Sequence, residues 1–132
     1  MPREILSLAV RWLDALRRGD AAALEEILAP SVVWRGVVPD AICHDRDEVI
    51  ALLREQIAEG LPDVYAVECV AGESSFAVGY RATDLTEVAG EPLPGQVFNV
   101  FTIRDGQIAA IEDFARREEA LRAAGVGDPG WK

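Results

Sequence analysis

The chain has 132 residues, of which 23 are acidic and 13 are basic, and its net charge is −10. This length suits one domain around a single core. The negative charge disfavours nucleic acid and anionic membrane surfaces as partners, because both would repel the protein. The N-terminus lacks an uncharged apolar segment of signal-peptide length, and no stretch of about 20 apolar residues occurs. We therefore expect a cytoplasmic protein.

Cysteine and histidine are scarce in this chain. Cys43 and Cys69 are its two cysteines, and His44 is its one histidine. Two cysteines are too few for a disulfide scaffold, and the three residues do not have the spacing of a metal site. We expect two free, buried thiols, no metal and no other cofactor.

Three helices are predicted in the first half of the chain. Apolar residues recur at helical spacing over about residues 3–18 and predict an amphipathic first helix. Gly19 then suits the C-terminal end of that helix, and Asp20 suits the N-cap of a second helix that stops at Pro30. Asp45 begins a capping-box pattern and predicts the start of a third helix.

Strands dominate the second half. Residues 31–38 are rich in β-branched side chains and predict a first strand. After the third helix, VYAVECV, SFAVGYRAT, GQVFNVFTI and QIAAIEDFA alternate with the period of strands, and Asp105-Gly106 predicts a type I′ hairpin between the last two. RREEALRAAG predicts a short helix with a charged, solvated face. Together these elements predict an α+β domain over residues 1–124 and a C-terminal tail over 125–132.

The order of these elements resembles the nuclear transport factor 2-like superfamily and, within it, the SnoaL-like proteins. The matching stretches are ALRRGDAAALEEILAPSVVW, CHDRDEVIALL and FTIRDGQIAAIEDF. The resemblance implies a curved antiparallel sheet wrapped around the N-terminal helices, forming a cone with an apolar pocket. It also implies a homodimer through the outer sheet face. It leaves the activity open, because the superfamily includes isomerases, cyclases, dehydratases, epoxide hydrolases and non-catalytic adaptors.

Strand alternation predicts which side chains face the pocket. Three polar residues, Tyr80, Asn99 and Asp113, share strand faces with apolar residues. On the last strand the same alternation groups Ala109 and Ile111 with Asp113. The predicted pocket walls come from these faces, the first helix and the first strand; they are Trp12, Trp34, Phe76, Val78, Phe101 and Ile111, with Tyr80 also contacting the ligand.

Known chemistries of the superfamily fit this chain unevenly. Ketosteroid isomerases of this superfamily use a base on a strand, a Tyr on a helix and a protonated Asp on a late strand. The positions of this chain that resemble these three are Gly36, Trp12 and Asn99. Because Gly36 has no side chain and Trp12 offers only an indole donor, we do not expect steroid isomerisation by that mechanism. The Arg-x-Asp pair of limonene epoxide hydrolases falls on Val97 and Asn99, so only Asp113 matches its last-strand Asp.

Asp113 is the best counterpart of the late-strand acid/base of the SnoaL cyclases. Its burial on an apolar face should raise its pKa and suit it to proton transfer near neutral pH. The alternatives are an ion pair with Arg81, Arg116 or Arg117, and a side chain that points outwards. Asn99 would orient a carbonyl or stabilise an oxyanion, or else be a hydrogen-bonded core amide.

His44 is a weaker candidate for a catalytic base, and the alternative is a hydrogen bond in the loop before the third helix. The leading hypothesis is a SnoaL-like protein that binds a small apolar organic molecule. Its chemistry, if it has one, would be cofactor-independent cyclisation, isomerisation or dehydration. The alternative is a non-catalytic ligand-binding, dimerisation or adaptor domain.

Overall fold

A computed structural model describes residues 2–37, 41–60, 63–83, 85, 87–88, 91–92 and 95–125. The helices in these segments are α1 (Pro2–Arg18), α2 (Ala21–Ile27), α3 (Arg46–Glu59) and α4 (Arg117–Ala124). The strands are β1 (Leu28–Arg35), β2 (Ile42–Cys43), β3 (Val64–Ala71), β4 (Ser75–Ala82), β5 (Glu87–Val88), β6 (Glu91–Pro92), β7 (Gln96–Arg104) and β8 (Gln107–Phe114). The α+β class is confirmed, and the predicted tail beyond Gly125 lies outside the described residues.

The predicted helix starts are confirmed by their caps. The carboxylate of Asp20 accepts a hydrogen bond from the Ala23 backbone N–H at 3.1 Å, and that of Asp45 accepts from Glu48 at 3.0 Å. These bonds satisfy N–H groups that a helix start leaves unpaired. The side chain of Glu48 accepts in turn from the backbone N–H of His44 at 2.6 Å, one residue before the cap. No helix in the described residues has the length and apolar character needed to cross a membrane.

Six of the strands form one curved sheet in the order β2-β1-β8-β7-β4-β3. The four strands predicted after the third helix are confirmed as β3, β4, β7 and β8, which pair antiparallel in that order. Asp105 and Gly106 have φ angles of 55° and 76°, the left-handed conformation that a type I′ hairpin needs at both central residues. β1 differs from the other long strands because it runs parallel to β8.

The start of β1 was predicted wrongly. α2 already ends at Ile27, and β1 begins at Leu28, before Pro30 rather than after it. Pro30 lies where the pairing of β1 with β8 shifts register, between Leu28 and Val33. A residue without an N–H is tolerated there because the ladder is interrupted. The short strands β2, β5 and β6 were not predicted, since two residues carry no detectable alternation.

The sheet is covered on both faces at β4 and β7. On one face Phe76 and Val78 of β4 join the main core with α1, α2 and α3. On the other face Ala77 of β4 packs with Phe98 and Val100 of β7 against the buried side of α4. The parity predicted for β4 and β7 is therefore confirmed.

The predicted parity fails at one point of β8. Thr102 pairs with Ala110, and the next residue, Ile103, pairs with Ile108, so that Ala109 is an extra residue in the strand. Such a bulge shifts the alternation by one position. Ile108, rather than Ala109, therefore joins Ile111 in the main core.

The closing helix α4 is more than the solvated charged face that its sequence predicted. Ala120, Leu121 and Ala124 are buried. The guanidinium of Arg117 donates to both carboxylate oxygens of Glu68 on β3, at 2.9 and 2.8 Å. The two side chains are only 13% and 10% exposed, so this ion pair ties α4 to the edge of the sheet.

The two thiols are free, as predicted, but the prediction that both are buried is wrong. Cys43 is half-buried and Cys69 is exposed. Cys69 lies on β3, an edge strand of the sheet. Edge strands have a neighbouring strand on one side only, which explains why this side chain has less cover than its apolar surroundings in the sequence suggested.

Candidate functional site

A cavity of about 1040 Å³ lies between α1, α3 and the sheet. This volume is of the order that small-molecule pockets reach. Its lining is mainly apolar and includes both tryptophans of the described chain, Trp12 and Trp34. Three polar side chains from the strands, Tyr80, Asn99 and Asp113, also border it.

Asp113 and Asn99 occupy directly opposed positions on β8 and β7. The indole Nε1 of Trp34 donates to Oδ1 of Asp113 at 2.8 Å, and the amide Nδ2 of Asn99 donates to the same oxygen at 2.6 Å. Among the described residues these two neutral donors are the hydrogen-bond partners of the carboxyl, so the arginine pairing considered from the sequence is not what the structure shows there. Oδ2 accepts no hydrogen bond from the described part of the chain.

Burial dominates the electrostatics of Asp113. It raises the pKa of this carboxyl from the ordinary 3.8 to about 7, although the hydrogen bonds from Trp34 and Asn99 act in the opposite direction. The negative charge of Glu112 raises this pKa as well. Near neutral pH the group is therefore present in both protonation states, which suits a side chain that accepts and returns a proton.

Tyr80 provides a second oxygen at the cavity. The indole Nε1 of Trp12 donates to its hydroxyl oxygen at 3.1 Å. Burial raises the pKa of this phenol above its ordinary value of 10.0, so the hydroxyl keeps its proton at neutral pH and can donate it in a hydrogen bond. The ring of Trp12 meets Trp34 edge-on, with 6.1 Å between centroids and 71° between planes.

Apart from His44, the predicted site residues separate into two groups. Five of them border the cavity, namely Trp12, Trp34, Tyr80, Asn99 and Asp113. The other predicted wall residues lie in the packed main core, namely Phe76, Val78, Phe101 and Ile111. Phe101 illustrates the cause, because it stacks on Phe76 at 4.4 Å and is covered by the ring of Trp12 at 4.9 Å.

His44 lies apart from these residues. Its ring is exposed, and Nδ1 is 3.1 Å from Oε1 of Glu48 at the start of α3. The cavity lining does not include it. Its position fits the alternative weighed from the sequence, a hydrogen bond in the loop before the third helix.

Several lining residues were not predicted from the sequence. Leu13 and Leu16 of α1, Leu53 of α3, and Val64 and Val67 of β3 add to the apolar walls. The helical spacing marked the first three as core residues, and only the tertiary fit of α1 and α3 against the sheet shows that they border a cavity. Four charged or amide side chains also belong to the lining: Asp14, Arg17, Gln56 and Glu59. The described residues contain no group of three or more His, Cys, Asp or Glu placed to hold a metal ion.

Comparison with known proteins gives a family and a fold. The model of the SnoaL-like domain family matches residues 9–111. A candidate polyketide cyclase from Xanthomonas campestris pv. campestris is 18% identical, with 93% of this chain and 97% of that chain covered and a TM-score of 0.67. A steroid delta-isomerase from Pseudomonas aeruginosa is 20% identical, with coverage of 92% and 86% and a TM-score of 0.66.

A SnoaL-like protein of unknown function from Burkholderia thailandensis is similar to the same degree. It is 19% identical, with 86% of this chain and 96% of that chain covered and a TM-score of 0.67. No curated protein matches the sequence. At these identities the structural likeness shows the nuclear transport factor 2-like fold and does not transfer an activity.

Proposed function

This chain belongs to the SnoaL-like domain family, and from that premise we propose that its cavity binds a small, uncharged, mostly apolar organic molecule. We propose further that it converts this molecule by proton transfer, in a cofactor-independent cyclisation, isomerisation or dehydration. The observation that carries the proposal is Asp113. Its carboxyl borders an apolar cavity, has neutral partners on Oδ1 and has none among the described residues on Oδ2.

The energetics of Asp113 support a functional role. Burying a carboxylate without a cation costs several kcal/mol, and a neutral residue of similar shape would avoid that cost. Groups with strongly displaced pKa values that lie in clefts are enriched at functional sites. A pKa of about 7 is useful to an acid/base group and serves no evident structural purpose.

The charges of the lining favour an uncharged ligand. Arg17 is the one cation among the described lining residues, and its guanidinium already donates to Asp14 at 2.9 Å. Glu59 and Asp113 add further negative charge to the lining. A carboxylate or phosphate on the ligand would therefore meet net repulsion, in a protein whose overall charge is −10.

The proposed chemistry uses two oxygens. Oδ2 of ionised Asp113 would remove a proton from a carbon or hydroxyl of the ligand, and the neutral carboxyl would return that proton at another atom of the same molecule. The hydroxyl of Tyr80 would donate a hydrogen bond to the ligand oxygen on which negative charge develops. Asn99, whose amide is engaged with Asp113, would act mainly by holding that carboxyl. Two structural neighbours, a candidate polyketide cyclase and a steroid delta-isomerase, belong to classes consistent with such chemistry.

A deuterium-exchange experiment tests this proposal. A panel of uncharged bicyclic and tricyclic ketones and hydroxyketones is first screened for binding by quenching of tryptophan fluorescence. Each binder is then incubated with the protein in D₂O, and loss of its C–H signals next to the carbonyl is followed by proton NMR. We expect catalysed exchange that Asp113→Asn abolishes and Asp105→Asn, a change in the exposed hairpin, leaves intact. If compounds bind but none of them exchanges, the catalytic part of the proposal is contradicted.

A non-catalytic ligand carrier is the second candidate. Two observations favour it: the cavity lining does not include His44, and Gly36 has no side chain. In that case the same panel would bind, and Asp113→Asn would change affinity alone. The homodimer implied by the family resemblance also remains a proposal, and sedimentation equilibrium of the full chain would test it.

A further inference from the structure

The two tryptophans of the described chain make equivalent contacts at the cavity. Trp12 donates its indole N–H to the hydroxyl of Tyr80, and Trp34 donates its indole N–H to Oδ1 of Asp113. We infer that Trp34 is a positioning residue for Asp113. It holds Oδ1 together with Asn99, and so leaves Oδ2 as the oxygen through which the proton is exchanged. This inference deepens the proposed function and rests on it for the role of the proton.

The backbone places the indole of Trp34 for this purpose. Trp34 is directly paired with Ile111 across the β1–β8 ladder, and Asp113 is the next residue on the same face of β8. The indole therefore reaches diagonally across one strand pair to the carboxyl. The hydrogen bond of 2.8 Å shows that the large indole spans this diagonal.

Packing restricts the alternatives open to this indole. Trp34 is 7% exposed and Trp12 is 1% exposed, and their rings meet edge-on. Trp12 is itself held by Phe101 at 4.9 Å. A rotation of the Trp34 ring that released Asp113 would have to disturb this aromatic cluster, so the N–H stays directed at Oδ1.

A positioning role and a simple wall role predict opposite effects for Trp34→Phe. The phenyl ring keeps most of the apolar wall but lacks the N–H. If the hydrogen bond matters, its loss destabilises the carboxylate and the midpoint of the Asp113 titration rises. If Trp34 only excludes water, the smaller ring admits water, relieves the desolvation and lowers the midpoint.

The test is a titration of Asp113 in protein labelled with ¹³C at the aspartate side-chain carboxyls, with the resonance assigned by Asp113→Asn. We expect Trp34→Phe to raise the midpoint by about one pH unit, as the loss of a hydrogen bond to a charged group implies. Trp12→Phe is the matched control, because its N–H binds Tyr80 instead, and we expect it to leave the midpoint in place. A midpoint that stays or falls in Trp34→Phe would overturn the inference.

The wild-type protein provides a second measurement that does not depend on whether the variant folds. The ¹H and ¹⁵N shifts of the Trp34 indole should titrate with the same midpoint as the Asp113 carboxyl, and this titration should vanish in Asp113→Asn. If the indole shifts of Trp34 do not change as the Asp113 carboxyl titrates, the positioning role of Trp34 is also refuted. These readouts involve no ligand. If the indole titrates with the carboxyl but no ligand exchanges deuterium, the proposed function is wrong, while the positioning of Asp113 by Trp34 stands.

Discussion

Asn99 and Asp113 face each other across β7 and β8, and the amide of Asn99 donates to Oδ1 of the carboxyl at 2.6 Å. This contact explains why two strands with otherwise apolar faces each carry a polar residue at this level. Cross-strand partners are the natural place for a buried polar group to find its hydrogen bond. The amide and the indole of Trp34 both donate to Oδ1, so no hydrogen bond from the described residues reaches the other carboxylate oxygen, Oδ2.

The raised pKa of Asp113 predicts an unusual pH dependence of stability. Between pH 3.8 and about 7 the folded protein keeps a proton that the unfolded chain has released. The free energy of unfolding therefore falls as the pH rises through this range, by at most about 4 kcal/mol from this group. We expect Asp113→Asn to lack this part of the fall. The free energy of unfolding of the variant, relative to that of the wild type, should therefore increase as the pH rises from 4 to 8.

Urea unfolding of both proteins at a series of pH values measures this difference. Asp105→Asn controls for the general effect of removing one negative charge from an acidic protein. If the stability curves of the wild type and Asp113→Asn run parallel between pH 4 and 8, the carboxyl has an ordinary pKa and the prediction is wrong.

Removal of the Tyr80 hydroxyl should destabilise the protein. Tyr80→Phe leaves the buried indole N–H of Trp12 without its acceptor, at a cost of about 1–3 kcal/mol. Tyr65→Phe is the matched control, since Tyr65 is 68% exposed and we expect almost no change there. Thermal and urea unfolding compare the two variants, and equal effects would show that the Trp12–Tyr80 hydrogen bond contributes nothing.

The ion pair between Glu68 and Arg117 should contribute more than those on α1. Glu68→Ala leaves a largely buried guanidinium without this partner, and we expect a loss of about 3 kcal/mol. Asp14 also contacts two arginines, Arg17 and Arg18, but all three side chains are well exposed. Asp14→Ala should therefore change the free energy of unfolding much less than Glu68→Ala does, because exposed ion pairs contribute little. Equal losses in urea unfolding would contradict the assignment of α4 as a helix anchored through Arg117.

His44 should be dispensable for the chemistry of the cavity. Its exposed ring interacts with Glu48 outside the lining, so we expect His44→Ala to leave ligand affinity and deuterium exchange within about twofold of the wild type, as for surface changes away from a site. The measurement is the same ketone panel used for Asp113→Asn. A large loss of exchange with unchanged affinity would mean that His44 takes part in proton transfer.

Much of the fold, and the location of the central polar residues, could be predicted from local patterns. Strand alternation alone was enough to place Asn99 and Asp113 on the face that borders the cavity, and the cap residues Asp20 and Asp45 marked two helix starts correctly. Successive side chains of a strand point to opposite faces, so the sequence shows this alternation wherever the strand is regular. It failed at Ala109, where one inserted residue reverses the pattern.

Side-chain contacts between distant elements could not be predicted in this way. Trp12 and Trp34 were expected to act as apolar walls, and their N–H bonds to Tyr80 and Asp113 depend on rotamers that only the packed structure defines. The same holds for Phe101, which the pattern placed on the cavity side and which the ring of Trp12 covers. Periodicity tells which way a side chain points, but not how far the next layer extends over it.

We propose that Asp113 is a half-buried acid/base group at the cavity, and the most direct test is its pKa in the wild-type protein. Titration of the ¹³C-labelled carboxyl by NMR, with the assignment from Asp113→Asn, gives this value without any ligand. We expect a midpoint near 7, well above that of an ordinary aspartate. A midpoint below the ordinary 3.8 would mean that a cation pairs with the carboxylate, and Asp113 would then be a structural residue.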